Sequence, residues 1–408
     1  MNFLVSHPTK KINNSFNISG SKSESNRLLI LKYLLGNIEI KNLSDSDDTN
    51  VLLRGLSTKS GIVDVGHAGT AMRFLTAYLS IQENKCYKIY GSERMHKRPI
   101  KILVDSLNDL GADIKYLGKK GYPPLKINGK KLDKFNVSLD ANISSQYITA
   151  LILIAPSLKK GLVINLEGDI TSRSYIEMSL LILRRIGVKA SFVNNRIDIK
   201  PFIIEKNIVQ IVESDWSSLS YFYSITALSN ESNLNVDSYF YNSIQGDKKL
   251  IEIYQKLGVQ THINNNTINL KKDKDFKLPE KLIFELNDTP DLAQTISVTC
   301  FGLGIACDLY GLKTLKIKET DRLKALKNEL EKLGAKVNIT NQSFHLKKRK
   351  KFNSNVIIDT YDDHRMAMAF TPLALLKPII INNPKVISKS FPSFWTTLSK
   401  LCFEISEY

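Results

Sequence analysis

The chain has 408 residues, 43% hydrophobic and 24% charged, with 12 Pro and 20 Gly, a composition that excludes collagen-like and disordered classes. Its length exceeds the roughly 250–300 residues at which one core usually splits, so two domains are expected. The formal charge of +17 comes largely from Lys scattered through stretches such as 271–277 and 347–351. No interleaved aromatic and basic stripe accompanies it, which argues against a nucleic-acid partner.

No apolar run reaches the roughly 18 residues of a membrane span. Residues 1–11 lack the apolar stretch of a signal peptide, and a cytoplasmic location is expected. Cys86, Cys300, Cys307 and Cys402 show no Cys-x-x-Cys spacing, so neither a metal centre nor a disulfide framework is expected. The glycine-rich nucleotide loops of kinases and dehydrogenases are also missing.

In chain order, the first helix opens at Ser21 with Glu24 three residues on, a capping-box spacing, and carries Lys22 and Arg27 near its start. A second start places Arg73 after Gly69 and Thr70. Later starts carry Ser144, Ser145 and Gln146, then Thr171, Ser172 and Arg173, then Ser217 and Ser218. The last third contains a Thr289, Pro290, Asp291 start, a Lys318, Glu319, Arg322 start and an Asp363, His364, Arg365 start. Four amphipathic segments end on Gly111, Gly187, Gly258 and Gly334, each followed by an alternating pattern. Glycine there fits the left-handed residue that closes a helix, and the alternation fits a strand.

These glycines lie 76, 71 and 76 residues apart, too long a period for a solenoid and suited to a small helix-and-sheet module. Six such modules nearly fill the chain. The copy around 57–65 is truncated, its helix pattern running directly into Gly61. Cations in a helix's first turn oppose its dipole by about 0.3–1 kcal/mol each. Their recurrence with serine hydroxyls points to phosphate or carboxylate ligands. Asp291 and Glu319, carboxylates in this basic setting, suit general-base work.

The strings SGSKSESNR (19–27), AGTAMR (68–73), ERMHKRPI (93–100), SSQYITAL (144–151), SRSYIE (172–177), NSIQGD (242–247), DTPDLA (288–293), KETDRL (318–323), YDDHRMAM (361–368) and SKSFPSFW (388–395) stand in this order. In series they resemble the signatures of the 5-enolpyruvylshikimate-3-phosphate synthase family. The resemblance implies an α/β, two-domain inverse barrel of enolpyruvyl transferase type, with three repeated units per domain closing over substrate. One domain would comprise 1–20 plus 243–408 and the other 21–242, with crossovers near 19–21 and 238–245.

The implied activity transfers the enolpyruvyl group of phosphoenolpyruvate to the 5-hydroxyl of shikimate 3-phosphate, on the route to chorismate and the aromatic amino acids. Asp291, Glu319 and Lys22 would be catalytic. Lys22, Ser23, Arg27, Ser144, Ser145, Gln146, Ser172, Tyr175, Asp291 and Lys318 would hold shikimate 3-phosphate. Lys22, Gly69, Arg94, Gln146, Arg322, Arg365 and Lys389 would hold phosphoenolpyruvate. The resemblance implies a monomer that needs no metal or cofactor, and glyphosate as an inhibitor, with the pocket beside Gly69 expected to be unobstructed. Three positions depart from the family pattern: His67 for Asn, Phe74 for Pro and Thr314 for Asn. The sister transferase acting on UDP-N-acetylglucosamine is disfavoured, because it has Lys-Asn where this chain has Lys22 and Ser23.

Overall fold

The computed structural model describes residues 1–142 and 144–408. They form two compact units, one from Gly20–Val212 and the other from Met1–Ser19 together with Glu213–Tyr408. Among the described residues, no helix is long and apolar enough to cross a membrane.

The unit Gly20–Val212 contains α1 (Lys22–Leu35), α2 (Asp47–Ser57), α3 (Gly69–Ser80), α4 (Lys101–Asp109), α5 (Ser145–Ile154) and α6 (Arg173–Arg185). Its two four-stranded sheets are built alike. In each, a parallel strand pair is joined by one helix, and a second helix leads to an antiparallel hairpin. The hairpin Ala190–Val193 to Arg196–Ile199 turns on Asn194 and Asn195, both at positive φ (48° and 58°), the backbone that a tight two-residue turn requires. Among the described residues the third sheet has two strands, Ile38–Lys41 parallel to Ile208–Ile211. Here α2 runs almost directly into the strand Gly61–Asp64, which is the truncation visible near residue 57. Helices α1, α3 and α5 pack on one another. Eleven of the twelve residues of α3 are buried, so the helix lies inside the sheets.

The other unit contains α7 (Trp216–Leu228), α8 (Leu250–Gln255), α9 (Ala293–Leu303), α10 (Arg322–Lys332), α11 (His364–Phe370) and α12 (Phe394–Lys400), with three four-stranded sheets. Helices α7, α9 and α11 pack on one another. Small hydroxylated residues join α7 to α9, with Ser220 to Thr295 at 3.2 Å and Thr299 donating to Ser224 at 2.7 Å. Both ends of the chain enter this unit. The strand Asn2–Ser6 lies between Ile379–Asn382 and Glu404–Glu407, antiparallel to each.

The second crossing lies between Val212 and Glu213, not at 238–245. The strand Glu231–Asp237 is parallel to Lys11–Asn17, while Trp216, Leu219 and Phe222 of α7 share a core with Ile12 and Phe16. Residues 213–242 therefore belong with the chain's two ends. Gly111, Gly187, Gly258 and Gly334 all have positive φ (109°, 99°, 78° and 96°). After Gly111, Gly187 and Gly334 the next amide donates to the carbonyl five residues back, as Ala112 does to Leu107 at 2.9 Å, the bond that closes a helix with a left-handed residue.

Candidate active site

Several helix starts are less unfavourable than the bare cation pattern implies. Asp215 caps α7, Asp321 caps α10 and Asp363 caps α11, each accepting an amide of the first turn. Lys318 and Glu319 therefore precede α10, and Arg322 is its first residue. Arg73 lies in the second turn of α3, where its guanidinium donates to the carbonyls of Gly69 at 3.2 Å and Pro99 at 2.9 Å. Its role is to tie backbone together.

In the unit carrying both chain ends, Asp291, Lys318, Glu319, Arg322, Arg365 and Lys389 form one connected network. Arg322 is the hub, donating to Asp291 at 2.8 Å, to Glu319 at 2.9 Å and to Asp363 at 2.6 Å. Lys318 reaches Asp291 at 3.3 Å, Arg365 reaches it at 3.4 Å, and Lys389 reaches Glu319 at 2.8 Å. A planar guanidinium has donors enough for three carboxylates, which an ammonium cannot match in that geometry. Burial alone would raise the Asp291 carboxyl, but Lys318, Arg365 and Arg322 together hold it well below the usual carboxylate range. Burial pulls the Lys318 ammonium down even though Asp291 opposes the change.

Beside this network Asp247 is buried, and its carboxylate accepts a hydrogen bond from the Ser217 hydroxyl. Ser217 in turn accepts from Arg365 at 3.3 Å. Desolvation lifts Asp247 to about 6, against the opposing pull of Arg365 and Ser217. Asp247 and Asp363 lie in the quoted strings but were not among the site residues expected from sequence.

In the unit Gly20–Val212, Arg27 is 3% exposed. It is held by neutral groups: the Ser179 hydroxyl at 2.8 Å and the carbonyls of Ser23 at 2.7 Å and Tyr175 at 3.2 Å. The rings of Phe74 and Tyr175 lie 5.7 Å from its guanidinium carbon, so the unusual Phe74 covers this cation. Burial brings Arg27 down to about 10. Lys22, at the start of α1, pairs with Asp48 of α2 at 3.1 Å. Sequence missed Asp48 because it sits in an acidic run that reads as a plain helix start.

Ser144 caps α5 by accepting the Gln146 amide at 3.3 Å, Ser145 is buried, and the Gln146 side chain donates to Thr70 at 3.1 Å. Ser172 precedes α6 at φ 54° with no side-chain cap bond. Arg94 is half-buried and leads the short turn Met95–Lys97. The space beside Gly69 is not open: a methyl carbon there would meet the Arg98 guanidinium at 2.5 Å. His67 contacts the Ser92 hydroxyl at 3.1 Å. The Thr314 hydroxyl is buried without a hydrogen-bond partner among the described residues.

Residues 53–398 match the family model described as EPSP synthase (3-phosphoshikimate 1-carboxyvinyltransferase). The chain belongs to the EPSP synthase family. It is 43% identical to a 3-phosphoshikimate 1-carboxyvinyltransferase of Bacteroides fragilis strain YCH46, with 99% of each chain covered. A namesake from Neisseria meningitidis serogroup C is 35% identical, covering 94% of this chain and 95% of the relative. In fold, the chain is similar to a solved EPSP synthase of Acinetobacter baumannii, with a TM-score of 0.76, 20% identity and full coverage of both chains.

Proposed function

We propose that this protein performs the family's reaction, joining phosphoenolpyruvate to the 5-hydroxyl of shikimate 3-phosphate with release of phosphate. The observation that carries this reading is Asp291, a half-buried carboxylate in contact with Lys318, Arg322 and Arg365. Lys22, Gly69, Arg94, Gln146, Arg322, Arg365 and Lys389 are assigned to phosphoenolpyruvate. Lys22, Ser23, Arg27, Ser144, Ser145, Gln146, Ser172, Tyr175, Asp291 and Lys318 are assigned to shikimate 3-phosphate. Two strongly anionic substrates need many cations, and forked guanidinium donors suit phosphate and carboxylate groups.

Asp291 takes the proton of the 5-hydroxyl as its oxygen adds to the enol carbon that bears the phosphate. Glu319 and Lys22 supply a proton to the methylene carbon, making it a methyl group in a tetrahedral intermediate. Loss of phosphate and of one methyl proton then leaves the enol ether. A carboxylate held by three cations is ionised but weakly basic. Substrate phosphate and carboxylate groups compete for those cations, and the proton affinity of Asp291 rises as they bind. The base is thus strengthened by the substrates it acts on.

The scheme uses a monomer in the cytoplasm, without metal or cofactor. Glyphosate, an anionic compound, is taken to compete at the phosphoenolpyruvate cations. The test is phosphate release from the two substrates together, with Asp291→Asn as control. Release that needs both substrates and falls about 10²–10⁴-fold in the variant is expected, the range for loss of a general base. Release with UDP-N-acetylglucosamine in place of shikimate 3-phosphate would move the protein to the sister activity.

A further inference from the structure

The YDDHR segment is held in an unfavourable backbone form. Tyr361 and Asp362 both have φ 53°, a left-handed conformation that Asp adopts readily but that carries a steric penalty for a bulky residue such as Tyr361. This left-handed pair immediately precedes Asp363, which accepts from Arg322 and also from the Arg365 amide at 2.9 Å. The turn therefore sets where two of the guanidinium groups point.

What enforces the turn comes from α10. Glu329 is fully buried, and its carboxylate accepts the Tyr361 hydroxyl at 2.6 Å, the Asp359 amide at 3.0 Å and the Lys332 ammonium at 2.8 Å. Asn383 adds a bond to the Asp362 carboxylate at 3.0 Å. Arg322 and Glu329 are seven residues apart on α10, two turns along one face and about 10 Å along the axis. The helix thus grips the segment 359–365 at two points, through Arg322 on Asp363 and through Glu329 on Asp359 and Tyr361.

We propose that Glu329 is a positioning residue for phosphoenolpyruvate binding: by clamping Asp359 and Tyr361 it maintains the strained turn that aims Asp363 and Arg365. Glu329 itself touches no substrate. The proposal rests on the assignment of Arg322 and Arg365 to phosphoenolpyruvate. Without the clamp the left-handed pair relaxes, and the guanidinium groups lose their common aim.

The experiment measures kcat and KM for each substrate separately in the wild type, Glu329→Gln, Glu329→Ala and Tyr361→Phe, with thermal unfolding alongside. Glu329→Ala should raise KM for phosphoenolpyruvate about ten- to hundredfold, the scale of an ångström-sized misplacement, and leave KM for shikimate 3-phosphate within about twofold. Tyr361→Phe removes one partly exposed hydroxyl and keeps the fold. It should reproduce part of the rise, and Glu329→Gln, which keeps an acceptor for that hydroxyl, should lie between the wild type and Glu329→Ala. Unchanged phosphoenolpyruvate KM in Tyr361→Phe and Glu329→Gln, or equal rises for both substrates, overturns the proposal. A wild type with no turnover would instead sink the assigned reaction.

Discussion

In the unit Gly20–Val212, Arg27 sits among two backbone carbonyls and a serine hydroxyl, whereas in the other unit Arg322 is surrounded by three carboxylates. Neutral acceptors satisfy a guanidinium's protons without cancelling its charge, so Arg27 keeps much of its attraction for an anion, partly offset by the nearby Glu24 carboxylate. Carboxylates cancel charge, making a buried Arg322 tolerable and tying the state of Asp291 to whatever occupies the neighbouring cations. Arg27 is therefore a cation held mainly by neutral groups, and Arg322 the hub of a charge-balanced site that responds to ligand.

The largest effect should come from breaking the balanced site. Arg322→Met leaves Asp291, Glu319 and Asp363 without their shared partner. Expected losses are roughly 3–5 kcal/mol of stability, as for a buried ion pair stripped of one member, and about 10²–10³-fold in kcat/KM. Urea unfolding and steady-state kinetics read both, and wild-type stability in this variant would show that the three contacts do not act as a unit. Arg27→Met strands only neutral groups, so its stability loss should stay near 1–3 kcal/mol while KM for shikimate 3-phosphate rises about tenfold or more. A stability loss as large as that of Arg322→Met would erase the distinction between the units.

A smaller, pH-dependent effect belongs to Asp247, which faces Arg365, Ser217, Asp291 and Asp215. Unlike Asp291, it is governed by desolvation, which raises its pKa from 3.8 to about 6. The folded state then binds the proton more tightly than the unfolded chain, so this group's contribution falls as pH rises through that window and is flat above it. The span is at most on the order of 2–3 kcal/mol. Asp247→Asn removes it, so the variant's stability relative to wild type should climb between those two pH values. A difference that is constant across that range, or that shrinks, would place Asp247 with the cation-governed acids.

Much of this was legible in the sequence because it is local. A glycine that must take positive φ announces a helix end wherever it falls, which is why Gly111, Gly187, Gly258 and Gly334 marked the modules. The motif order carried the family, and Asp291, Glu319, Arg322 and Arg365 were legible as chemistry. Pairing over long range was not. The strand Glu231–Asp237 finds its parallel neighbour more than 200 residues earlier, at Lys11–Asn17, and nothing in either segment names the other. The expected second crossing was misplaced for that reason.

The site was legible in its members and not in its wiring. That one guanidinium serves three carboxylates, that Asp48 holds Lys22, and that Arg98 fills the space beside Gly69 depend on side chains brought together only by the fold. Glu329 reads as one more surface glutamate of an amphipathic helix, yet it is fully buried.

The strand Asn2–Ser6 closes its sheet only with Ile379–Asn382 and Glu404–Glu407. During synthesis this strand leaves the ribosome long before both of its neighbours, while every contact within Gly20–Val212 becomes available before either neighbour has been made. The middle of the chain can fold as a unit during translation. The strand Asn2–Ser6 must wait, unpaired, for partners made long after it.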